Sequence, residues 1–185
     1  MRERVPLRDT ALAGIDPADR RHIEVVVTGL PMFHGTPVAV DATLISPLHA
    51  DGTAWAGAAE RSGASFARAE SVKAVTYPEL VDSSVLRLVT TAAEIGGRLN
   101  RQSLDLLDAA AAGKAAEEPP VLRRQAARAW RARWVTMLSV AIQDATAATL
   151  VAEGARFLDA AEGATPTAVD VWLDAARSPD GGSAA

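Results

Sequence analysis

Two short β-branched runs, each with one carboxylate inside it, constrain this chain more than any other feature. Ile23–Thr28 reads Ile-Glu-Val-Val-Val-Thr and is closed by Gly29 and Pro31. Val38–Ser46 reads Val-Ala-Val-Asp-Ala-Thr-Leu-Ile-Ser, follows the turn Gly35-Thr36-Pro37 and stops at Pro47. Apolar runs of this length, bounded by Gly and Pro, read as strands. In the second, Val38, Val40, Ala42 and Leu44 share one face, and Ala39, Asp41, Thr43 and Ile45 share the other. An ionised group inside a buried strand costs free energy unless it is paired or holds a metal. Glu24 and Asp41 therefore need a physical reason for their positions.

The remaining pattern is α/β. Residues 55–80 read as helical, most clearly over Ser65–Thr76, and Pro78 breaks that helix near Tyr77. Val85–Ala92 reads as a third strand, with Gly96-Gly97 ending the extended stretch. Residues 101–115 form an amphipathic helix carrying Leu104, Leu107 and Ala111. Beyond Pro119-Pro120, residues 121–153 form a long helix with Trp130, Trp134, Leu138 and Ile142 in one stripe. Strand, strand, helix, strand, helix is the order of a layered α/β domain. The expected organisation is a flexible lead-in over 1–19, with one turn capped by Asp16 ahead of Pro17. A core over 20–115 and a helical extension over 119–153 follow. A partly disordered tail closes the chain over 154–185, with one helix at Thr167–Ala176 and a Gly-Gly-Ser-Ala-Ala end.

Composition narrows the function classes. Hydrophobic residues make up 49% of the 185, but aromatics only 4%, so a core must rest on Leu, Val, Ile and Ala. The absence of cysteine excludes disulfides, zinc–thiolate sites and a thiol nucleophile, and fits an intracellular protein. No apolar run follows Met1-Arg2-Glu3-Arg4, and no stretch approaches roughly 18 uninterrupted apolar residues, so neither a secretory signal nor a membrane is expected. The net charge of −4 argues against binding nucleic acid by bulk charge. It leaves open a site whose carboxylates hold a cation.

Glu24, Asp41 and Lys73 make up the candidate site. If the two strands are neighbours, the two carboxylates can lie on one face, a few ångströms apart, where they repel each other. A divalent cation resolves that repulsion, and oxygen ligands suit Mg²⁺ or Mn²⁺. Lys73 and Tyr77, four residues apart, share a helix face. Ala69, four before Lys73, lets that face approach the sheet. Singly, these residues have ordinary structural explanations: an edge aspartate or a hydrogen-bonded bend, and a core tyrosine with its hydroxyl at the rim. Arg124, Arg128 and Arg131, at i, i+4, i+7, suit either a phosphate backbone or a solvated helix face. Trp130 and Trp134 read as core or docking residues. His22, His34 and His49 lack metal-ligand spacing on one element. Glu94 reads as a further site carboxylate or an arginine partner.

Three segments carry a family resemblance: Arg21-His22-Ile23-Glu24-Val25-Val26, Val40-Asp41-Ala42-Thr43, and Ala69-Glu70-Ser71-Val72-Lys73-Ala74-Val75-Thr76-Tyr77-Pro78-Glu79-Leu80. Together they resemble the restriction-like endonuclease domain of site-specific non-LTR retrotransposons, in the PD-(D/E)xK nuclease superfamily. The family pattern runs Arg-Pro-Asp, then acidic-x-Thr followed by Pro, then Ala-x-x-x-Lys-x-x-x-Tyr and Leu. Asp41 and Thr43 match the second part, with Pro47 a little late, and Ala69, Lys73, Tyr77 and Leu80 match the third. Ile23-Glu24 replaces the Pro-Asp of the first. The resemblance implies a restriction-endonuclease-like central mixed sheet flanked by helices, with Glu24 and Asp41 as metal ligands and Asp41, Lys73 and Tyr77 as catalytic residues. It implies DNA as the partner and a nuclear location. It also implies a reverse-transcriptase part in a parent polyprotein. No polymerase motif or zinc knuckle is present, so the expectation is a detached domain, a fragment or a decayed copy. Two rivals remain: a catalytically inactive remnant, and an interaction module docking through the Trp130/Trp134 helix.

Overall fold

The computed structural model describes residues 1–49 and 52–160. The chain divides into two compact units, Met1–Asp144 and Ala145–Ala185. The first holds a four-stranded sheet in the order β1-β2-β3-β4. These strands are β1 (Arg2–Pro6), β2 (His22–Val27), β3 (Val38–Ile45) and β4 (Arg87–Glu94). β1–β2 and β2–β3 are antiparallel, and β3–β4 is parallel. The parallel pair is joined through α1 (Ala64–Thr76) and the short α2 (Pro78–Val81), and α3 (Arg101–Ala115) follows β4. A long helix, α4 (Arg123–Ala160), ends the described chain, and its last residues, from Ala145, belong to the second unit. The expected α/β architecture is present: a mixed sheet flanked by helices, then a long C-terminal helix.

Alternation decides the two cores. Ala39 joins Val5, Leu7, Ile23, Val26, Tyr77, Leu80 and Leu86 on the side of α1 and α2. Val38, Val40 and Val89 pack with Val25, Val27 and Leu106 of α3 on the other. Val38, Ala39, Val40 and Asp41 are buried in succession, as expected for a strand covered on both faces. On α1, Phe66 and Ala69 pack with Ala92 of β4. Val72 and Val75 face outward, so the helix's inward stripe is Phe66, Ala69, Lys73 and Tyr77 rather than one that includes Val72.

Several boundaries differ from the sequence expectations. The lead-in contributes the edge strand β1, and its Val5 and Leu7 lie deep in the core. Its charged neighbours Arg2, Glu3 and Arg4 hide that strand from a hydrophobicity reading. The Asp16 side chain does cap its turn, accepting the Ala18 N–H at 2.7 Å. The fourth strand begins two residues later than Val85, because the Ser83 hydroxyl accepts the Val85 and Leu86 N–H groups and holds them in a turn. It runs on to Glu94 because β3 offers partners as far as Ile45. Residues 154–160 continue α4, whereas the expected Thr167–Ala176 helix and the Gly-Gly end lie outside the described residues. On α4 the anticipated stripe holds: Trp130, Trp134 and Leu138 are half-buried and Ile142 is buried. By length and composition, Arg123–Ala152 is also apolar enough to cross a membrane, which a search for uninterrupted apolar runs does not detect.

β4 is a sheet edge, and one side chain closes much of it. Gly97, at φ 85, turns the chain back so that Leu99 bridges Ala93. Asn100, 1% exposed, then follows. Its Oδ1 accepts the Ala92 N–H at 3.2 Å and the Ser103 N–H at 2.9 Å, capping α3. Its Nδ2 donates to the Thr90 carbonyl and to Glu70 of α1, each at 2.8 Å. Edge, helix cap and crossover helix thus meet at one amide. Asn100→Ala leaves those buried groups without partners, and should lower unfolding stability by about 2–4 kcal/mol, measured by urea denaturation.

Candidate active site

The β2–β3 ladder pairs Val27 with Val38, Val26 with Ala39 and Val25 with Val40, and then stops. Continued by one residue, this register sets Glu24 opposite Asp41. Instead the strands part there. Glu24 Oε2 accepts the Ala42 N–H at 3.0 Å, so a side chain takes the place of the next ladder bond. On its other side Glu24 faces a second irregularity. The β1–β2 register pairs Glu3 with Val25 and Val5 with Ile23 but skips Arg4, which has φ 47. A non-glycine residue in this left-handed region is strained. Its effect on packing is visible: Ile23 and Val25, two residues apart, lie in the cores on opposite sides of the sheet. The ribbon turns at Glu24, and Glu24 is exposed where the sheet opens.

Asp41 is 3% exposed and lies on the α1 side of β3. Lys73 reaches it from α1, with Nζ 2.8 Å from Oδ2. That approach is not along a hydrogen-bond direction: Oδ2 is buried and accepts no directed hydrogen bond. The contact is an ion pair with one oxygen otherwise unused. Tyr77, one turn beyond Lys73, donates its hydroxyl proton to the His22 carbonyl at 2.7 Å. Burial raises the Tyr77 pKa first, then the Asp41 charge, with a further contribution from Glu24. The phenol therefore stays protonated beside both carboxylates.

Arg21 fixes the end of α1. Its Nη2 lies 2.6 Å from Asp19 Oδ2 and 2.7 Å from Glu79 Oε1. Its Nη1 donates to the Thr76 carbonyl, and the guanidinium stands 5.9 Å from the Tyr77 ring centroid. Hydrogen bonds from Arg21 hold Asp19 and Glu79 below the ordinary carboxylate range, and Asp19, then Glu79, raises the guanidinium pKa.

Glu24, Asp41, Lys73 and Tyr77 are thus gathered where β2 and β3 separate. The other candidates lie elsewhere. Arg131 pairs with Asp108 of α3 at 2.5 Å, while Arg124 and Arg128 are exposed on α4. Glu94 lies at the far end of β4 and takes the arginine-partner role, 3.5 Å from Arg98 Nε. His49 stacks on Trp55, and His22 contributes its carbonyl. Sequence reasoning missed Asn100 and the roles of Asp19 and Glu79. Arg21 opened a quoted segment, but nothing local showed that it would bridge Asp19 to a second carboxylate, Glu79, 58 residues further along the chain from Arg21.

The donor set suits a hard cation in part. Mg²⁺ keeps several waters and needs only one or two carboxylates; Asp41 Oδ2, whose partner is the Lys73 ammonium, and the second oxygen of Glu24 are the carboxylate oxygens that could serve it. Among the described residues no third His, Cys, Asp or Glu joins them. No protein-family model, curated protein or solved structure matches the chain.

The Arg21 clamp has a defined pH dependence. Depressed carboxylates contribute stability that is complete above their unfolded values near about 4 and is lost as pH falls through the lower folded values. Arg21→Ala should therefore melt a few degrees below the wild type at pH 7. The gap should narrow as the pH drops below about 4, followed by thermal melts across pH 3–7.

Proposed function

We propose that this chain is a metal-dependent DNA endonuclease domain of the restriction-endonuclease-like kind, derived from a non-LTR retrotransposon polyprotein. The observation that carries the reading is the buried Asp41–Lys73 pair at the parting of β2 and β3, with Glu24 across the gap. A sheet in which an antiparallel β2–β3 pair leads through a helix into a parallel β4 agrees with the fold that the motifs imply. So does the delivery of the lysine by the helix rather than by a strand.

In this reading Glu24 and Asp41 would hold Mg²⁺ or Mn²⁺. A metal bound there would supply an activated water and charge neutralisation at a phosphodiester. Lys73 Nζ stabilises the negative charge that builds on the phosphate, an interaction strongest in a site that excludes water. Tyr77, protonated and anchored on the His22 carbonyl, keeps the end of α1 and hence Lys73 in register with β2. Arg21 secures the same helix end from outside. Arg124 and Arg128 offer exposed positive charge for a DNA backbone. Chromosomal DNA is the substrate in this reading, the nucleus the location, and a reverse-transcriptase part of the parent polyprotein the natural partner.

The same ion pair favours one second reading. With Asp41 already neutralised by Lys73 and Glu24 engaged with Ala42, the site is self-sufficient without a metal, as an inactive remnant would be. Supercoiled plasmid with Mg²⁺ or Mn²⁺ separates the two. The enzyme nicks it, and Asp41→Ala abolishes nicking, with a loss of at least about a hundredfold. No nicking by the folded wild type leaves the remnant.

A further inference from the structure

We infer that Lys73 is a resident counter-ion that a divalent cation must displace from Asp41, so that this one ammonium sets how tightly the site takes its metal. The inference rests on the reading of Glu24 and Asp41 as the metal-holding pair. Asp41 Oδ2 is buried, accepts no directed hydrogen bond, and has the Lys73 ammonium 2.8 Å away. A Mg²⁺ ion must come to about 2.1 Å from a ligand oxygen. An oxygen cut off from solvent cannot take both cations in the same approach. Two positive charges that close also repel strongly in a partly dehydrated site.

Lys73 is able to yield. Its side chain is 23% exposed against 4% for Asp41, so its head can swing towards water while its stem stays against the sheet. Ala69, packed on Ala92, holds the helix close to the sheet and so keeps Lys73 as the nearest cation when no metal is present. Glu24, exposed where the β2–β3 pairing ends, would offer the incoming cation its first ligand. The displaced ammonium would stay close to Asp41, placed to meet an anionic substrate. The pair also answers how Asp41 survives burial in the metal-free protein: the lysine neutralises it until the metal does.

The test is calorimetric titration of Mn²⁺ into the full chain, comparing the wild type, Lys73→Met, Asp41→Asn and the double variant. Lys73→Met should bind Mn²⁺ at least about tenfold more tightly than the wild type, and the double variant should lose that gain. Without metal, Lys73→Met should melt below the wild type, and Mn²⁺ should raise its melting temperature more than it raises that of the wild type. Should Lys73→Met fail to fold, Lys73→Gln, which keeps a donor for Asp41, carries the same comparison. The unmodified protein offers an independent readout, because the sequence contains two lysines, Lys73 and Lys114. Mn²⁺ should increase acetylation of Lys73 relative to Lys114, measured by mass spectrometry. If the wild type binds Mn²⁺ through Asp41 but Lys73→Met binds equally or more weakly, the displacement idea fails and the metal reading survives. If neither the wild type nor any lysine variant binds Mn²⁺, both fail.

Discussion

The buried carboxylate of Asp41 is the constraint around which the first unit is organised. A charge at 3% exposure in the middle of a sheet is tolerable only with a counter-charge. Its neighbours on β3 are apolar, so the counter-charge has to come from another element, and Lys73 of α1 supplies it at 2.8 Å. That single requirement fixes the rotation of α1. With Lys73 inward, Phe66, Ala69 and Tyr77 must also face the sheet, and they form the contacts that hold the crossover between β3 and β4. Removing one partner of such a pair is far more destabilising than replacing both by apolar groups, because the remaining charge stays buried. The geometry therefore serves the fold poorly as a source of net stability and well as a determinant of register.

Where the sheet opens matters as much as the charge. An antiparallel ladder continued to Glu24 and Asp41 would set two carboxylates side by side with their backbones locked. The structure avoids this in two places at once. Arg4 adopts a left-handed conformation on one flank of Glu24, and Glu24 itself takes the Ala42 N–H on the other. Irregular strand geometry of this sort re-aims side chains and ends pairing next to sites. Its cost at Arg4 is offset by the burial of Val5 and Leu7, which follow directly, in the core.

How much of this the sequence could reveal follows from the range of each interaction. The helix that carries Lys73 was legible because its limits are local: Pro78 stops it, and the Ala69–Lys73–Tyr77 spacing defines a face. The two acidic strands were legible from β-branched runs closed by Gly and Pro. That β2 and β3 pair through Val25–Val27 and part at Glu24 and Asp41 is a matter of register, which pattern alone permitted but did not require. β1 was illegible because an edge strand needs one buried face only, and Val5 is its only fully buried residue among charged ones. Asn100 gave no signal beyond an ordinary helix cap. Its other partners, Thr90, Ala92 and Glu70, are brought to it by the fold, and no short motif encodes them.

These long-range contacts explain why the four candidate groups stay together on a sheet that has come apart between them. Beyond Val25–Val40 no backbone pairing joins β2 to β3, so the two sides of the gap need ties of another kind. Glu24 provides one by bonding to Ala42. Tyr77 provides a second by bonding to His22, which links α1, and so Lys73, to the β2 side. Arg21 reinforces that link through Thr76 and Glu79. On the β4 side, Asn100 grips Glu70 of the same helix. Helix α1 is thus held from both margins of the opening by polar side chains, while its Phe66 and Ala69 pack with Ala92 and Ile45. In the proposed reading, an arrangement held in this way would admit an ion at its middle without losing its walls, because none of these ties has to break for Asp41 to change partners.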